Sequence, residues 1–265
     1  MATMVAFHAH PDDESIGTGG VMRKAFEEGH RVVLVVATRG EHGEVPDGLL
    51  GDGEELWERR VTETLAAAET LGVHRTEFLG YRDSGMMGAP TNGAPGSFWT
   101  APVEEAAEKL AAILRAERAE VLLCYDDNGG YGHPDHIQVH RVGLRAAELA
   151  GTPRVYQNTM NRDHVTRGMA EYAEQAAAAG IELPDIDTSE EAFGKPEDVI
   201  TAAVDVRPYL KHKRAAMRAH ASQIGEQSFF LSMPDDLFSY VFGTEWFIRS
   251  GQGPGITEID LLDGL

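Results

Sequence analysis

The sequence has little cysteine, little basic charge and no long apolar segment, and each shortage excludes a class of protein. Cys124 is the only cysteine among 265 residues, so an internal disulfide is impossible and a reducing, cytoplasmic location is expected. No run of about 18 apolar residues occurs, so we expect no membrane-spanning helix. The N-terminal stretch MATMVAFHAH lacks the basic and long apolar regions of a secretory signal, so we expect none.

Basic residues are also scarce, with 23 Lys and Arg against 43 Asp and Glu and a formal net charge of −20. Binding to nucleic acid or to an anionic membrane needs patches of Lys and Arg, so neither partner is expected. A small sugar or amide substrate is compatible with this charge, and so is a homo-oligomer. With 42% hydrophobic and 25% charged residues, residues 1–265 are expected to form a single globular domain.

Short apolar runs alternate with longer helical patterns, which is typical of an α/β fold with a mostly parallel sheet flanked by helices. The predicted strands are Met4–Ala9, Arg31–Ala37, Thr76–Gly80, Glu120–Tyr125, Arg154–Gln157 and Ile200–Val206. The predicted helices are Gly19–Glu28, Glu54–Leu71, Val103–Ala119, His136–Leu149 and Tyr209–Ala221.

The C-terminal portion is less regular than the rest of the chain. Ile181–Pro196 is polar and is expected to be a loop, and the aromatic residues after Phe229 are expected to pack back on the core. Two other loops, Thr38–Gly53 and Asp83–Trp99, are long for a compact domain, and such loops are often functional.

Two motifs that contain His-Pro-Asp lie at predicted strand ends. HPDDE (His10–Glu14) follows the first strand, and GHPDH (Gly132–His136) follows the fourth strand after a short loop. Both motifs open a predicted helix. In open α/β sheets, ligands bind at the carboxyl ends of the strands, so the two motifs are candidates for one functional site.

The spacing within these motifs suits a metal. His10 and Asp13 are three residues apart, as are His133 and His136, so each pair can face one way at the start of a helix. Two histidines and one carboxylate are enough for a zinc site that keeps a position open for water. A catalytic zinc needs that opening, because it lowers the pKa of the bound water to about 7.

Hydrolysis at such a site also needs a base and a donor to the developing oxyanion. Asp12 stands beside the ligand Asp13 but is not expected to share its direction, which makes it the candidate base. A protonated His133 is the candidate donor, and the Tyr131 hydroxyl is a candidate second donor. Asp135 is expected to hold the charge and orientation of His133.

Plainer interpretations of these residues exist. The acids of the first motif could cap a helix, and the histidines of the second could lie on the surface. The pairing of the two motifs favours the metal site. His8 and His140 rank lower as ligands, because His8 lies within a strand and His140 is one turn after His136.

A glycine-rich stretch offers a different hypothesis. GTGG (Gly17–Gly20) follows a strand and opens a helix, like part of a dinucleotide-binding fingerprint, but Met22 stands where the last glycine should be. The three preceding acids would also repel a pyrophosphate, so we reject this interpretation.

The combination of AHPDDE and GHPDH resembles the LmbE-like (PIG-L) de-N-acetylase superfamily. The resemblance extends over TRGEHGEV (Thr38–Val45), Arg59–Glu63, YRDSGMMG (Tyr81–Gly88) and KRAAMRAHASQ (Lys213–Gln223), and it is weakest between Asn158 and Lys211 and after Gly225. It implies a Rossmann-like fold and zinc-dependent removal of an N-acetyl group from a glucosamine-containing small molecule. Cleavage of a related amide, as by a mycothiol-conjugate amidase, is the alternative.

The resemblance also implies roles for individual residues. The metal ligands would be His10, Asp13 and His136, the base Asp12, and the cationic stabiliser His133 with help from Tyr131 and Asp135. The matched substrate-binding positions are Arg60, Asp83 and Glu44, with Arg59 as a substitute for Arg60. His220, in AHASQ, matches a recurrent motif to which the resemblance assigns no role.

Functions of other classes stay open at this point. Two histidines and a carboxylate also suit Fe²⁺ and the non-haem iron oxygenases, so iron is the alternative to zinc. The extra acid Asp12 and the α/β pattern favour hydrolysis. A sugar-binding module without catalysis is the third alternative, and the presence of every expected catalytic residue argues against it.

Overall fold

The structure is a computed structural model that describes residues 1–46, 48–178 and 193–265. Within these ranges, seven strands form one sheet in the order β3-β2-β1-β4-β5-β7-β6. The strands are β1 (Thr3–His8), β2 (Arg31–Val36), β3 (Arg75–Phe78), β4 (Val121–Tyr125), β5 (Arg154–Thr159), β6 (Ala202–Asp205) and β7 (Thr244–Arg249). The helices are α1 (Gly19–Glu27), α2 (Leu56–Leu71), α3 (Val103–Glu117), α4 (Pro134–Ala150), α5 (Arg162–Ala178), α6 (Leu210–Ala219), α7 (Phe229–Ser232) and α8 (Asp235–Phe242).

The five strands from β3 to β5 run parallel, and β7 joins antiparallel to both β5 and β6. The centre of the sheet is β1, in which Val5 stands opposite Val33 of β2 and Leu122 of β4. The prediction of a mostly parallel sheet flanked by helices is confirmed.

Side chains alternate between the two faces of the sheet, and each face has its own core. Val5 and Phe7 belong to a cluster that includes residues of α3 and α4, whereas Met4 and Ala6 pack with residues of α1, α2 and α6. Because helices cover both faces, β1 and β2 are apolar at nearly every position, as expected for strands of a parallel sheet.

Each predicted helix and strand is present, and its ends lie within two residues of the prediction. Four elements are absent from the predictions: α5, α7, α8 and β7. Residues 181–192 of the predicted loop Ile181–Pro196 lie outside the described ranges. The aromatic C-terminal stretch packs back as expected, because Leu237, Phe238 and Phe242 of α8 form a cluster with Met217 of α6. The organisation of residues 1–265 as a single domain stays a prediction.

None of the helices in the described part of the chain combines the length and the apolar character needed to cross a bilayer.

The glycine-rich turn GTGG starts α1, and a carboxylate from β7 occupies the amides there. Glu245 accepts hydrogen bonds from the backbone N–H groups of Gly20 and Val21, both at 2.8 Å, and it pairs with the buried Lys213 of α6. Gly20 has to be a glycine, because a Cβ atom would lie 2.5 Å from the Val206 side chain. The amides that a pyrophosphate would need are therefore bound by the protein's own acid.

Candidate active site

The two His-Pro-Asp motifs meet where the strand order reverses. β1 and β4 are parallel neighbours in the sheet, so the chain segments after them emerge at the same edge. The His10 ring centroid lies 4.6 Å from that of His133 and 5.3 Å from that of His136. Asp83, at the start of the predicted loop Asp83–Trp99, and Arg60 of α2 contact the first motif directly.

The predicted metal ligands converge on one carboxylate oxygen. Asp13 Oδ2 lies 3.4 Å from His10 Nδ1 and 3.3 Å from His136 Nε2. Donor atoms bound tetrahedrally to zinc at about 2.0–2.1 Å lie about 3.3 Å from one another. Two imidazole nitrogens and one carboxylate oxygen at these separations fit a divalent metal ion.

The hydrogen bonds of the two histidines leave the correct nitrogen of each ring for a metal. His10 Nε2 donates to Asp135 Oδ2 at 3.1 Å, so the Nδ1 lone pair faces Asp13. His136 Nδ1 donates to the Gly129 carbonyl at 3.1 Å, so Nε2 is the nitrogen that faces Asp13. Such hydrogen bonds fix the tautomer and the orientation of metal-binding histidines. Gly129 has to be a glycine, because a Cβ atom would lie 2.4 Å from the His136 Cβ.

Asp135 contacts both His10 and His133. Its carboxylate bonds to His10 and to the backbone N–H and hydroxyl of Ser84, and its own backbone N–H donates to His133 Nδ1 at 3.1 Å. The reason is the placement of Asp135 in the first turn of α4, fully buried and facing the end of β1. The carboxylate thus bonds to His10, and its predicted role in holding the charge and orientation of His133 stays a prediction.

In the described ranges, two groups of side chains bring possible ligand atoms within 4.8 Å of one another, and neither is the predicted set of His10, Asp13 and His136. They are His10, His133 and His136, and His10, Asp83 and Asp135. His10 is common to both groups and to the predicted triad. Any of these sets would place a metal at the edge of the sheet where the two His-Pro-Asp motifs meet.

The backbone of Asp12, the predicted base, has an unusual conformation. Its φ angle is +90°, in the region that side chains rarely adopt. Its carboxylate lies 3.2 Å from the Arg60 guanidinium. Burial raises the pKa of Asp12 to about 6, although Arg60 opposes the shift. At neutral pH the carboxylate is thus ionised and more basic than an ordinary aspartate, which suits a general base.

The structure favours a neutral His133. Burial and the neighbouring rings of His10 and His136 lower the pKa of His133 to about 4. Because its Nδ1 accepts a hydrogen bond from Asp135 N–H, the proton of the neutral ring is on Nε2. His133 is therefore available as a hydrogen-bond donor, and its predicted cationic form stays a prediction. The Tyr131 hydroxyl lies 3.4 Å from His136 Nε2, and the residue is 44% exposed.

Arg60 is buried and forms hydrogen bonds to the chain segments around the site. Its guanidinium donates to the carbonyls of Gly40 at 2.8 Å and Pro11 at 2.6 Å, in addition to its contact with Asp12. Arg59 points away and pairs with Glu54, so it does not substitute for Arg60 here.

The other predicted substrate-binding residues differ in their distance from the metal ligands. Asp83 Oδ1 lies 3.5 Å from His10 Nε2, and the Asp83 carboxylate accepts the backbone N–H groups of His42 and Gly85. Glu44 is exposed, and its backbone carbonyl accepts a hydrogen bond from Gln223. The substrate-binding roles of Arg60, Asp83 and Glu44 stay predictions.

The two competing histidines have other partners. His8 is buried between the Tyr125 hydroxyl at 2.7 Å and Thr18 Oγ1 at 2.8 Å. His140 Nδ1 donates to the Tyr125 carbonyl at 3.0 Å. Both histidines thus bond to other groups of the fold, in agreement with their lower rank as metal ligands.

Sequence reasoning missed a layer of polar residues behind the site. Glu14 Oε1 lies 2.6 Å from His220 Nε2, and Glu63 of α2 accepts the backbone N–H and hydroxyl of Ser222. Burial alone would lower the pKa of His220, but the Glu14 carboxylate outweighs it and raises that pKa. The only signal was the KRAAMRAHASQ stretch, which carries both His220 and Ser222 but does not reveal their partners.

Comparison with known proteins decides the family. The family described as PIG-L, GlcNAc-PI de-N-acetylase, matches residues 5–147. The chain belongs to the PIG-L family. The match includes both His-Pro-Asp motifs and every predicted metal ligand, and the predicted membership is confirmed.

Relatives of this PIG-L protein match over nearly its whole length. A 1D-myo-inositol 2-acetamido-2-deoxy-α-D-glucopyranoside deacetylase of Nocardiopsis dassonvillei is 43% identical, covering 97% of this chain and 99% of that protein. A protein of the same name from Acidothermus cellulolyticus is 41% identical, covering 93% and 88%. The prediction of an N-deacetylase, an enzyme that hydrolyses an amide, is confirmed.

Solved structures support the fold. An N,N'-diacetylchitobiose deacetylase from Pyrococcus horikoshii matches with a TM-score of 0.55 and 24% identity, covering 93% of this chain and 83% of that one. The PIG-L chain thus shares its sheet and helix arrangement with a solved deacetylase.

Proposed function

We propose that this PIG-L protein uses a bound divalent metal ion to remove the N-acetyl group from a glucosamine-containing small molecule. One observation carries the proposal: Asp13 Oδ2 lies 3.4 Å from His10 Nδ1 and 3.3 Å from His136 Nε2, with the strained Asp12 beside it. Zinc is the metal we propose first, because nitrogen and carboxylate donors in this number suit it, with iron(II) as the alternative. The names of the relatives make 1D-myo-inositol 2-acetamido-2-deoxy-α-D-glucopyranoside the first substrate to test.

Each side chain of the site has its own part in the proposed reaction. His10, Asp13 and His136 would hold a divalent metal, which when bound would supply a Lewis acid for the amide carbonyl and make water more acidic. Asp12 takes a proton from the attacking water as its oxygen bonds to the carbonyl carbon. His133 donates a hydrogen bond from Nε2 to the carbonyl oxygen as negative charge develops there. Asp12 then gives its proton to the leaving nitrogen as the C–N bond breaks, and acetate and a free amine result.

The remaining residues bind or position. Asp83 is the residue we propose for a sugar hydroxyl, because its carboxylate lies beside His10 at the same edge of the sheet. Arg60 supports Asp12 and the Gly40 turn, and Glu44 lies on the exposed loop that would meet the aglycone. Tyr131, half exposed next to His136, would contact the acetyl group side of the substrate.

The test measures acetate release and bound metal on the same preparations. The compound named above is compared with a panel of other N-acetylglucosaminides, and the metal content is measured by mass spectrometry. We expect about one metal per chain and acetate release that a chelator abolishes. Oxygen uptake that depends on an added 2-oxo acid would instead indicate an oxygenase, and a protein that binds sugar but no metal would be a binding module.

Single variants separate the two roles in HPDDE and GHPDH. Asp12→Ala should keep the metal and lose about 10²–10⁴-fold in kcat, because a general base is removed without touching a ligand. His136→Ala should lose the metal. His140→Ala, one turn further along α4, is the matched control and should keep both metal and turnover. Near-full activity of Asp12→Ala would rule out the mechanism.

A further inference from the structure

We propose that His220 is a positioning residue, which acts through Glu14 to hold the backbone and carboxylate of Asp12 in place. The inference rests on the proposed function, in which Asp12 is the base. It assigns a role to the AHASQ segment (residues 219–223), which lies far from the metal ligands in the sequence.

Glu14 connects the two residues directly. One of its carboxylate oxygens, Oε1, lies 2.6 Å from His220 Nε2, and the other, Oε2, accepts the backbone N–H of Asp12 at 3.0 Å. Glu14 and His220 are both fully buried. His220 therefore touches neither the substrate position nor the metal ligands, but it is two hydrogen bonds away from the base.

Asp12 needs this support because of its backbone. With φ at +90°, a residue other than glycine is strained, and such a conformation persists only where the surroundings fix it. The Asp12 carbonyl accepts hydrogen bonds from Ser15 and Ile16, its side chain contacts Arg60, and its N–H is fixed by Glu14. Rotation about φ would break the last of these bonds and turn the carboxylate away.

Glu14 in turn needs His220. A buried carboxylate that loses a hydrogen-bond donor either turns toward another donor or moves toward water. Either change weakens the acceptor that holds the Asp12 N–H. The other group on Oε1 is the Ser15 hydroxyl at 2.6 Å, which already donates to Glu14 and therefore does not replace the lost hydrogen bond.

The segment that carries His220 has independent anchors. Ser222 bonds through its N–H and hydroxyl to Glu63, and Gln223 Nε2 donates to the Glu44 carbonyl at 2.9 Å. His220 Nδ1 has no hydrogen-bond partner among the described residues, so Glu14 is the group that its ring serves. Replacing the ring should thus leave the segment in place while releasing Glu14.

A double-mutant cycle with Asp12→Ala tests this role. His220→Leu, which fills the volume without a donor, should lower kcat about 10- to 100-fold, with KM within about twofold and the metal content unchanged. In the Asp12→Ala background, the same substitution should change the residual rate by less than about twofold, because its effect passes through Asp12. His220→Gln, whose amide N–H can still donate to Glu14, should recover most of the loss.

Controls separate positioning from general damage. Ser222→Ala lies in the same segment and is equally buried, but it bonds to Glu63 and not to Glu14. Any change of rate that Ser222→Ala causes should be equal in the wild-type and in the Asp12→Ala backgrounds. If His220→Leu does not fold, His220→Asn takes its place in the cycle, since its shorter amide does not reach Glu14.

The outcomes are distinct. An equal loss from His220→Leu in both backgrounds, or loss of metal in that variant, would overturn the positioning role while leaving the proposed function intact. A wild-type protein that binds metal but releases no acetate would overturn the proposed function, and the inference would fall with it.

Discussion

At the scale of single residues, burial decides which reactive groups are available for chemistry. Cys124 lies in β4, only 1% exposed, and its sulfur packs against α4 at Gly143. Burial, together with the nearby Asp126, raises the pKa of its thiol to about 12. The thiolate is the reactive form of cysteine, so this residue is structural.

We therefore predict that Cys124 is inert in the folded protein. At pH 8, a thiol reagent such as Ellman's reagent should label the native chain far more slowly than a model thiol. In about 6 M guanidinium chloride the same chain should react at once, with one thiol per molecule as the sequence requires. Rapid stoichiometric labelling of the native protein would show that β4 opens or that the thiol is accessible.

The sequence predicts the residues of the site better than it predicts their partners. His10, Asp12 and Asp13 form one short motif, so their chemistry is visible locally. The contact from His10 to Asp135 spans 125 positions and that from Glu14 to His220 spans 206. No local pattern records such contacts, and they depend on which strands become neighbours. For this reason the contact of Asp135 with His10 and the role of His220 are missing from the prediction.

At the scale of elements, the N-terminal half is predictable because each element carries its own pattern. β2, with the sequence RVVLVV, is apolar after Arg31 and β-branched at four of its six positions, and α2 shows helical spacing up to Leu71. The strand β7 has no such pattern, because TEWFIR places Glu245 in the interior. That burial makes sense only with Lys213 and the amides of α1 next to it. α5 lies in the weakest part of the resemblance, and no helix is predicted there.

The buried pair of Lys213 and Glu245 should therefore matter for stability. Lys213→Met leaves the Glu245 carboxylate without a counter-charge at the junction of α1, α6 and β7, and we expect a loss of about 3–5 kcal/mol in the free energy of unfolding. Urea denaturation measures it. Lys109→Met is the matched control: Lys109 is an exposed lysine that pairs with Glu105, and its loss should cost about 0–1 kcal/mol. An equal loss in the free energy of unfolding at the two positions would contradict the claim that the buried Lys213–Glu245 pair stabilises the junction of β7 with α1 and α6.

At the scale of the whole molecule, the excess of acids is the dominant feature. A net charge of −20 on 265 residues creates repulsion that the folded state concentrates and the unfolded state spreads out. Ion pairs such as those of Arg145 with Glu104 and Glu148 are formed by exposed side chains. Exposed pairs contribute about 0–1 kcal/mol each, so they do not offset a repulsion that acts over the whole surface.

Salt should therefore stabilise this protein. Raising NaCl from about 10 mM to about 500 mM shortens the screening length from about 30 Å to well under 10 Å, which removes the long-range repulsion and leaves contact pairs partly intact. We expect the Tm from calorimetry to rise by several degrees and then level off. NaCl is used because sulfate would also strengthen apolar burial. Reversing the exposed Glu69 and Glu171 to lysine changes the net charge from −20 to −16, two units for each reversal, and should raise the Tm at low salt while flattening its dependence on NaCl. A Tm that falls steadily with NaCl would mean that the surface ion pairs outweigh the repulsion.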